Sequence, residues 1–382
     1  MNERPPSRGR NPRDYTVEEA VTRYLDSLNS DGSRKTMRTP LNRFVEFCER
    51  HEIAAPGELT SGDIQDFGYE LKEDHRDGNL KASTANTYYD YVRAFLGFCV
   101  RNEMADQNPA KTDRGQEYLP DDTGDRDAQY WTTEQRTQIL NYVTQRLDWA
   151  LDGKIDVDPD IAYRDRTMVV LLARTGARGA ELFNDLKDRE RTGVTWGDVD
   201  LENAVLYVFG KGRKHNQEVP LPKSAREVLD RWQRKADPPS DDWPIFPSWS
   251  YKARRKNLED EIGSKVVSLR FEERGDVLKT EFLDELLEEY EVAPPAISKE
   301  RARQIMKQLT DEANIDVDDR HGYLTPHGAR RRLGADLYAA GESERAQDAL
   351  RHNSIETTHE AYSHLNTKDT ADTIDEVLEE IE

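Results

Sequence analysis

The sequence predicts a mainly α fold with one small antiparallel β-sheet, divided into a helical N-terminal domain and an α+β C-terminal domain. Three observations carry this prediction. Apolar residues recur at helical spacing through 15–107. A stretch rich in Pro, Asp and Gly, 108–128, interrupts them. Beyond it the period shortens to that of strands within 194–221, and helical spacing returns from Lys279 onward.

The first domain reads as a four-helix bundle. Thr16-Val17-Glu18-Glu19 is a capping box, followed by Val21, Tyr24, Leu25 and Leu28 on one face. The second helix carries Leu41, Phe44, Val45 and Cys48, with Pro40 starting or kinking it. The third follows Ser61 with Ile64, Phe67 and Leu71, and the fourth starts near Ser83 with Tyr88, Val92, Phe95, Leu96 and Cys99. Ser83, Thr84 and Thr87 at that start are hydroxyls suited to phosphate and base-edge contacts, or simply a solvated helix start. Residues 108–128 read as linker, and 129–382 as the second domain. Thr133–Leu147 and Tyr163–Arg174 are expected helices. Val194–Trp196, Ala204–Phe209 and Glu218–Leu221 are expected as a three-stranded meander. Residues 369–382 read as an acidic amphipathic helix with Ile374, Val377, Leu378 and Ile381 on one face.

Acidic residues outnumber Lys and Arg by 76 to 55, a net charge of −21. A nucleic-acid binder needs a basic footprint, so the average argues against one. The local pattern reverses this. From Asn203 to Lys235 eight Lys/Arg face three acids, and Lys252, Arg254, Arg255 and Lys256 crowd into six residues. Arg4, Arg8, Arg10 and Arg13 make 1–14 a flexible basic arm, either an idle tail or a phosphate contact. The acidic remainder is the surface expected of a halophilic protein in a salt-rich cytosol. Two cysteines make no disulfide framework, no apolar run spans a bilayer, and the N-terminus lacks a signal-peptide core; a cytoplasmic protein is expected.

The residues that can carry chemistry begin at Thr325-Pro326-His327-Gly328-Ala329-Arg330-Arg331-Arg332. Thr325 is a good N-cap and Pro326 a good first helical residue. A His and three Arg at a helix start oppose the helix dipole, unless an anion sits among them. His327 and Arg330 share a face; Arg331 and Arg332 fall elsewhere on the helix, where they hold neighbouring phosphates or acids. Arg178 begins another helix after Gly176 and can equally pair with Glu181. Lys211 lies between two glycines at a hairpin tip, with Arg213 and Lys214 after it. His352 and Tyr362 follow near the C-terminus, where Tyr362 taken alone reads as a core residue, on one face with Ile355 and Leu365. His352, His359 and His364 match no common zinc spacing.

The order Arg…Lys…His-x-x-Arg…His…Tyr resembles the tyrosine recombinase (phage integrase) family. The matching strings are Thr-Gly-x-Arg-x-x-Glu-Leu at 175–182, Gly-Lys-Gly-x-Lys…Val-Pro-Leu at 210–221, Thr-Pro-His-x-x-Arg at 325–330, Leu-x-His-x-Ser-Ile-x-Thr-Thr at 350–358 and Tyr-Ser-His-Leu at 362–365. The resemblance implies a helical core-binding (SAM-like) domain followed by the catalytic domain. It implies a site-specific recombinase of duplex DNA that needs neither metal, cofactor nor ATP. Tyr362 would be the nucleophile, Arg178, Arg330 and His352 the phosphate contacts, His327 the proton-transfer partner and Lys211 the general acid. Arg213, Lys214, Arg254, Arg255 and Arg331 become further DNA contacts. The chain would act as a homotetramer on synapsed DNA, with 369–382 docking on a neighbouring protomer or on its own domain, and as a monomer or dimer when free. A type IB topoisomerase-like nicking enzyme and an idle DNA-binding relative share the same residues. The chain departs from the pattern at Arg351, where Gly is usual, and at Arg331, where His is common; 257–297 is longer and more acidic than a minimal member needs.

The acidic surface predicts salt-dependent stability. Thermal melts should show a clearly higher midpoint in multimolar KCl than in low salt, and equal midpoints would contradict it.

Overall fold

The structure is a computed structural model that describes residues 11–28, 31–121, 128–188, 190–210, 217–352 and 354–362. It comprises two compact units, Met1–Arg126 and Asp127–Glu382.

The first unit is the expected bundle: α1 Val17–Ser27, α2 Asp31–Arg50, α3 Ser61–Arg76 and α4 Ala82–Arg101. The Thr16 capping box forms in both directions, Glu19 N donating to Thr16 Oγ1 at 3.2 Å and Thr16 N to Glu19 Oε2 at 3.0 Å. Pro40 neither starts nor ends α2; it is buried inside the helix. The core is aromatic, with Phe44 edge-on to Phe67 at 5.1 Å between ring centroids.

The expected linker is a correction. Residues 109–111 form a 3₁₀ turn and α5, Asp113–Gln116, follows; both pack on the bundle. Asn108 and Pro109 look like linker residues, yet they supply the turn. Asn108 Oδ1 accepts from Ala110 N at 3.0 Å, its Nδ2 donates to Arg93 O at 2.9 Å, and Tyr89 Oη donates to the buried Ala110 carbonyl at 3.2 Å.

In the second unit α6 (Thr133–Leu151), α7 (Pro159–Thr175) and α9 (Lys223–Ala236) pack together, with a single turn of helix, α8 (Gly179–Leu182), after α7. Met168 to Ala173 are all buried, a continuous apolar run within the helix on which α6 and α9 pack. The sheet is antiparallel in the order β1 (Val199–Asp200), β2 (Val205–Val208), β3 (Gln217–Pro220), with Leu206 opposite Val219. Its first strand is therefore not Val194–Trp196. That segment spends its backbone elsewhere: Val194 N donates to Leu182 O, Val194 O accepts from Ile245 N, and Trp196 N donates to Trp243 O, all at 3.0–3.2 Å.

Helices α10 (Tyr251–Ile262), α11 (Ser264–Glu273) and α12 (Lys279–Glu289) bury an apolar cluster of their own around Leu258, Phe271, Leu283 and Leu286. Then come α13 (Lys299–Glu312), α14 (Pro326–Ala339), α15 (Ser343–Leu350) and α16 (Ile355–Tyr362). Among the described residues no helix is long and apolar enough to cross a membrane.

The start of α14 is anchored from the far end of the unit. Thr325 Oγ1 accepts from Gly328 N at 3.1 Å. The buried Gln129 Oε1 accepts from both Thr325 N (2.7 Å) and Thr325 Oγ1 (2.6 Å), while Trp131 Nε1 donates to Thr325 O at 2.9 Å. Gly328 permits this approach, because a Cβ there would lie 2.6 Å from Gln129 Oε1 and 2.9 Å from the Trp131 ring.

Candidate active site

The cation-loaded turn of α14 faces the ends of two other helices. Arg330 is buried, and its guanidinium donates to the carbonyls of Gly176, which caps α7, and Leu350, the last residue of α15. These are free C-terminal carbonyls, the partially negative ends of helices. They supply part of the compensation that the start of α14 denies this cation. Burial, then Arg178 and Arg351, pull the Arg330 pKa down to about 9, so it stays charged near neutrality.

Gly176 adopts φ +68° and ends α7, turning the chain into α8. Arg178 is the N-cap of α8. Its backbone N donates to Glu181 Oε2 and its Nη1 to Glu181 Oε1, both at 2.7 Å. The ion pair read as an alternative in the sequence thus forms, but not on the surface. The Glu181 side chain is 1% exposed, while that of Arg178 is 30% exposed. The pairing fixes Arg178 and leaves part of its guanidinium accessible.

His352 follows α15. Its Nδ1 lies 2.9 Å from Thr358 Oγ1, which orients the ring, and the ring lies parallel to that of Tyr362 at 6.4 Å between centroids. Burial, then Arg330, Arg178 and Arg351, lower the His352 pKa to about 4. His327 keeps solvent access; the protein packed around it, then Arg331, Arg330, Arg178 and His352, lower its pKa to about 4 as well. Both imidazoles are therefore neutral at pH 7, able to accept or donate a hydrogen bond.

Tyr362 ends α16 and is 3% exposed. Its phenol lies over Gly334 of α14, where a Cβ would leave it no room. The Tyr130 ring stands edge-on at 6.4 Å, and Tyr130 Oη donates to Ala361 O at 3.3 Å. Burial, then Tyr130, push the Tyr362 pKa up to about 12, with Arg330 and Arg331 pulling against them.

Five of the six expected catalytic positions thus gather around α14: Arg178, His327, Arg330, His352 and Tyr362. Lys211 lies outside the described residues, as do Arg213, Lys214 and 369–382. The strand end preceding Lys211 is tied to the site, since Arg191 Nη1 donates to Ala180 O (3.0 Å) and Phe209 O (2.9 Å), and its Nη2 to Gly210 O (3.0 Å).

Among the other expected DNA contacts, Ser83 and Thr87 are exposed and Thr84 is half-buried in the first turn of α4. Arg254 is a correction: it is buried and paired with Asp284, inside the α10–α12 cluster. Arg255 is likewise engaged, with Glu259 at 2.7 Å, Tyr251 Oη at 3.1 Å and the Phe271 ring at 4.8 Å. Arg332 holds an acid as expected, Asp336 at 2.7 Å. Arg331 does not fall away from the site, since its charge acts on His327, Tyr130 and Tyr362. Gln129, Tyr130 and Arg191 went unrecognised in the sequence, since none lies in a motif that marks it; Thr358 falls inside the 350–358 string, which gives it no role of its own. Among the described residues, no group of three or more His, Cys, Asp or Glu side chains could hold a metal ion.

Residues 151–369 match the family described as "Phage integrase family". The chain belongs to the phage integrase family. It is 25% identical to the tyrosine recombinase XerC of Halalkalibacterium halodurans, over 86% of this chain and 85% of that protein. It is 25% identical to XerC of Pseudomonas syringae pv. tomato, over 63% of this chain and 67% of that protein. Among solved structures it is similar to the Tn1549 transposon integrase in complex with transposon right-end DNA, at TM-score 0.57 and 15% identity, covering 95% of this chain and 99% of the other. It also resembles the XerH site-specific recombinase bound to a palindromic difH substrate, at TM-score 0.55 and 15% identity, covering 90% and 79%. These likenesses show that the chain has the tyrosine-recombinase fold.

The two depressed histidines make a prediction. In the folded protein they stay neutral down to about pH 4, whereas in the unfolded chain they protonate from about 6.5. Between these values the unfolded state binds more protons, so their contribution to stability is full above pH 6.5 and is lost as pH falls toward 4. NMR titration of the free protein should place the His327 and His352 midpoints well below 6.5, assigned through His→Gln variants. Midpoints at or above 6.5 would contradict the electrostatics described.

Proposed function

We propose that this chain is a site-specific DNA recombinase that cuts and rejoins strands through a 3′-phosphotyrosyl bond to Tyr362. Family membership supports this, and one observation carries the assignment of residues. Two guanidiniums, two neutral imidazoles and a tyrosine converge at the start of α14, although they are scattered between positions 178 and 362.

The chemistry follows from the charges. Attack by the Tyr362 oxygen on the scissile phosphorus forms a P–O(Tyr) bond and breaks the P–O5′ bond, while negative charge builds on the non-bridging oxygens. Arg178 and Arg330 face that charge as permanent cations, with His352 as a further donor. The phenol must lose its proton. His327, neutral in the free chain, takes it once the bound phosphate offsets the cations that weaken it as a base, and the field of Arg330 and Arg331 favours the phenolate. Lys211 gives a proton to the departing 5′ oxygen. A 5′-hydroxyl then attacks the phosphotyrosyl bond and releases Tyr362. The phosphate bond passes from one oxygen to another, so neither ATP nor a metal enters the balance. In the free chain the phenol is packed over Gly334, so attack requires α16 to shift when DNA engages.

The partner is duplex DNA bearing a recombination site, held by a homotetramer in the synapsed state. The Ser83, Thr84 and Thr87 turn of α4 is a second contact surface on the same substrate. Phosphate contacts weaken steeply with salt, so a protein working in a salt-rich cytosol depends more on base contacts and DNA shape.

Incubation with a nicked suicide duplex tests the reading. The parent should form a covalent protein–DNA adduct that EDTA does not prevent, and Tyr362→Phe should form none. An adduct that persists in Tyr362→Phe would refute the nucleophile. An adduct that reseals but never exchanges strands would favour the topoisomerase-like alternative, and no adduct at all would favour an idle DNA-binding protein.

A further inference from the structure

We propose that Arg351 is a positioning residue that keeps Arg178 available to the scissile phosphate by sharing its counter-ion, Glu181; this rests on the strand-cleavage reading above.

Among the described residues, Glu181 is the carboxylate that acts on both Arg330 and Arg351. Its side chain is buried, with Oε1 accepting from Arg178 Nη1 and Oε2 from Arg178 N, both at 2.7 Å. If these were its only partners, Glu181 and Arg178 would make a closed, neutral pair. A phosphate oxygen would then compete with a buried carboxylate for the same guanidinium. Arg351 changes that balance, because its Nη2 also donates to Glu181 Oε2. One negative charge now serves two guanidiniums, and the trio keeps a net positive charge facing the space that Arg178 borders.

Two features of Arg351 are costly. It caps α15 in the left-handed region at φ +51°. A residue with a Cβ pays roughly 1–2 kcal/mol there, and glycine pays little. Its side chain is only 8% exposed, and its Nε makes no hydrogen bond among the described residues. Positive φ recurs at other helix ends of this chain, such as Asp237 and Asn314, so it is the buried cation with unspent donor capacity beside a shared carboxylate that supports the proposed role. Its place supports the same conclusion. Leu350 and Arg351 are adjacent at the end of α15, and while the Leu350 carbonyl holds Arg330, the Arg351 guanidinium reaches Glu181 and through it Arg178. One helix end thus sets both arms of the clamp.

The test compares adduct formation on the nicked duplex by the parent, Arg351→Gly, Arg351→Lys and the double variant Arg351→Gly/Glu181→Gln, at saturating DNA. Arg351→Gly leaves Glu181 to Arg178 alone, so its rate should fall by about tenfold or more, and removing the carboxylate in the double variant should restore it to within about threefold of the parent. A merely structural role predicts the reverse, the double variant being slower than either change alone. Arg351→Lys keeps a cation beside Glu181 and should stay near the parent rate. Glycine suits φ +51°, so Arg351→Gly should melt no lower than the parent. If it nevertheless unfolds in the assay, Arg351→Lys against Arg351→Gln carries the comparison, and equal rates for these two would overturn the proposal. Arg351→Gly within about twofold of the parent, or a double variant no faster than Arg351→Gly, would also overturn it. A parent that forms no adduct refutes the cleavage reading and this inference together; a parent adduct with an unaffected Arg351→Gly refutes this inference alone.

Discussion

The rest of the site depends on the buried guanidinium of Arg330 and the two helix ends that hold it. A buried cation without partners is among the most expensive things a fold can contain. Here the Gly176 carbonyl at the end of α7 and the Leu350 carbonyl at the end of α15 accept its N–H groups. That arrangement places the ends of two helices against the start of a third, and so decides where Arg178, which follows Gly176, and His352, which follows Leu350, must lie. The constraint is tight. A Cβ on Gly176 would meet Leu333, Leu350 and the Ala349 carbonyl within 3.2–3.3 Å, on a residue that already requires φ +68°. The positively charged centre is therefore a consequence of packing as much as of charge.

Burial and so much positive charge held together shift His327, His352 and Arg330. The imidazoles give up their protons, Arg330 is pulled down, and burial together with Tyr130 keeps the Tyr362 phenol from being drawn toward its ionised form. The free chain is consequently assembled but idle. Its cations outnumber the Glu181 carboxylate that Arg178 and Arg351 share, and the Tyr362 phenol is packed away over Gly334. A phosphodiester entering this space supplies the missing charge. Interactions that strengthen as that phosphate gains charge in the transition state accelerate the reaction, whereas those equally strong beforehand only bind.

Much of this was legible in the sequence. Thr325-Pro326 and the Thr16 box are local signals, and the helices they start lie where expected. Five candidate site residues fall in short strings that resemble those of the family. What escaped was non-local. Val194–Trp196 alternates like a strand, but its hydrogen bonds go to Leu182, Trp243 and Ile245, which no local pattern reveals. Asn108-Pro109 carries linker composition and still packs, because the bundle offers those groups partners. Arg254 and Arg255 read as a basic footprint, until the acids and rings of their own helical cluster are seen to take them up. Arg351 stood out only as a departure. Its positive φ and its shared carboxylate depend on three segments meeting.

The proposed action of the arginines on the charge of the scissile phosphate is what the mechanism turns on. It is tested most directly by comparing the parent with Arg178→Ala on two suicide duplexes, one with an ordinary phosphodiester and one with an uncharged methylphosphonate at the cleavage site. Arg178 is suited to this because it is partly exposed, and Glu181 keeps Arg351 as a partner when Arg178 is replaced. The account predicts a loss of about 10²-fold or more on the charged substrate and a much smaller loss on the neutral one. An equal loss on both would contradict it, since Arg178 would then be supporting the structure of the site and not the charge of the phosphate.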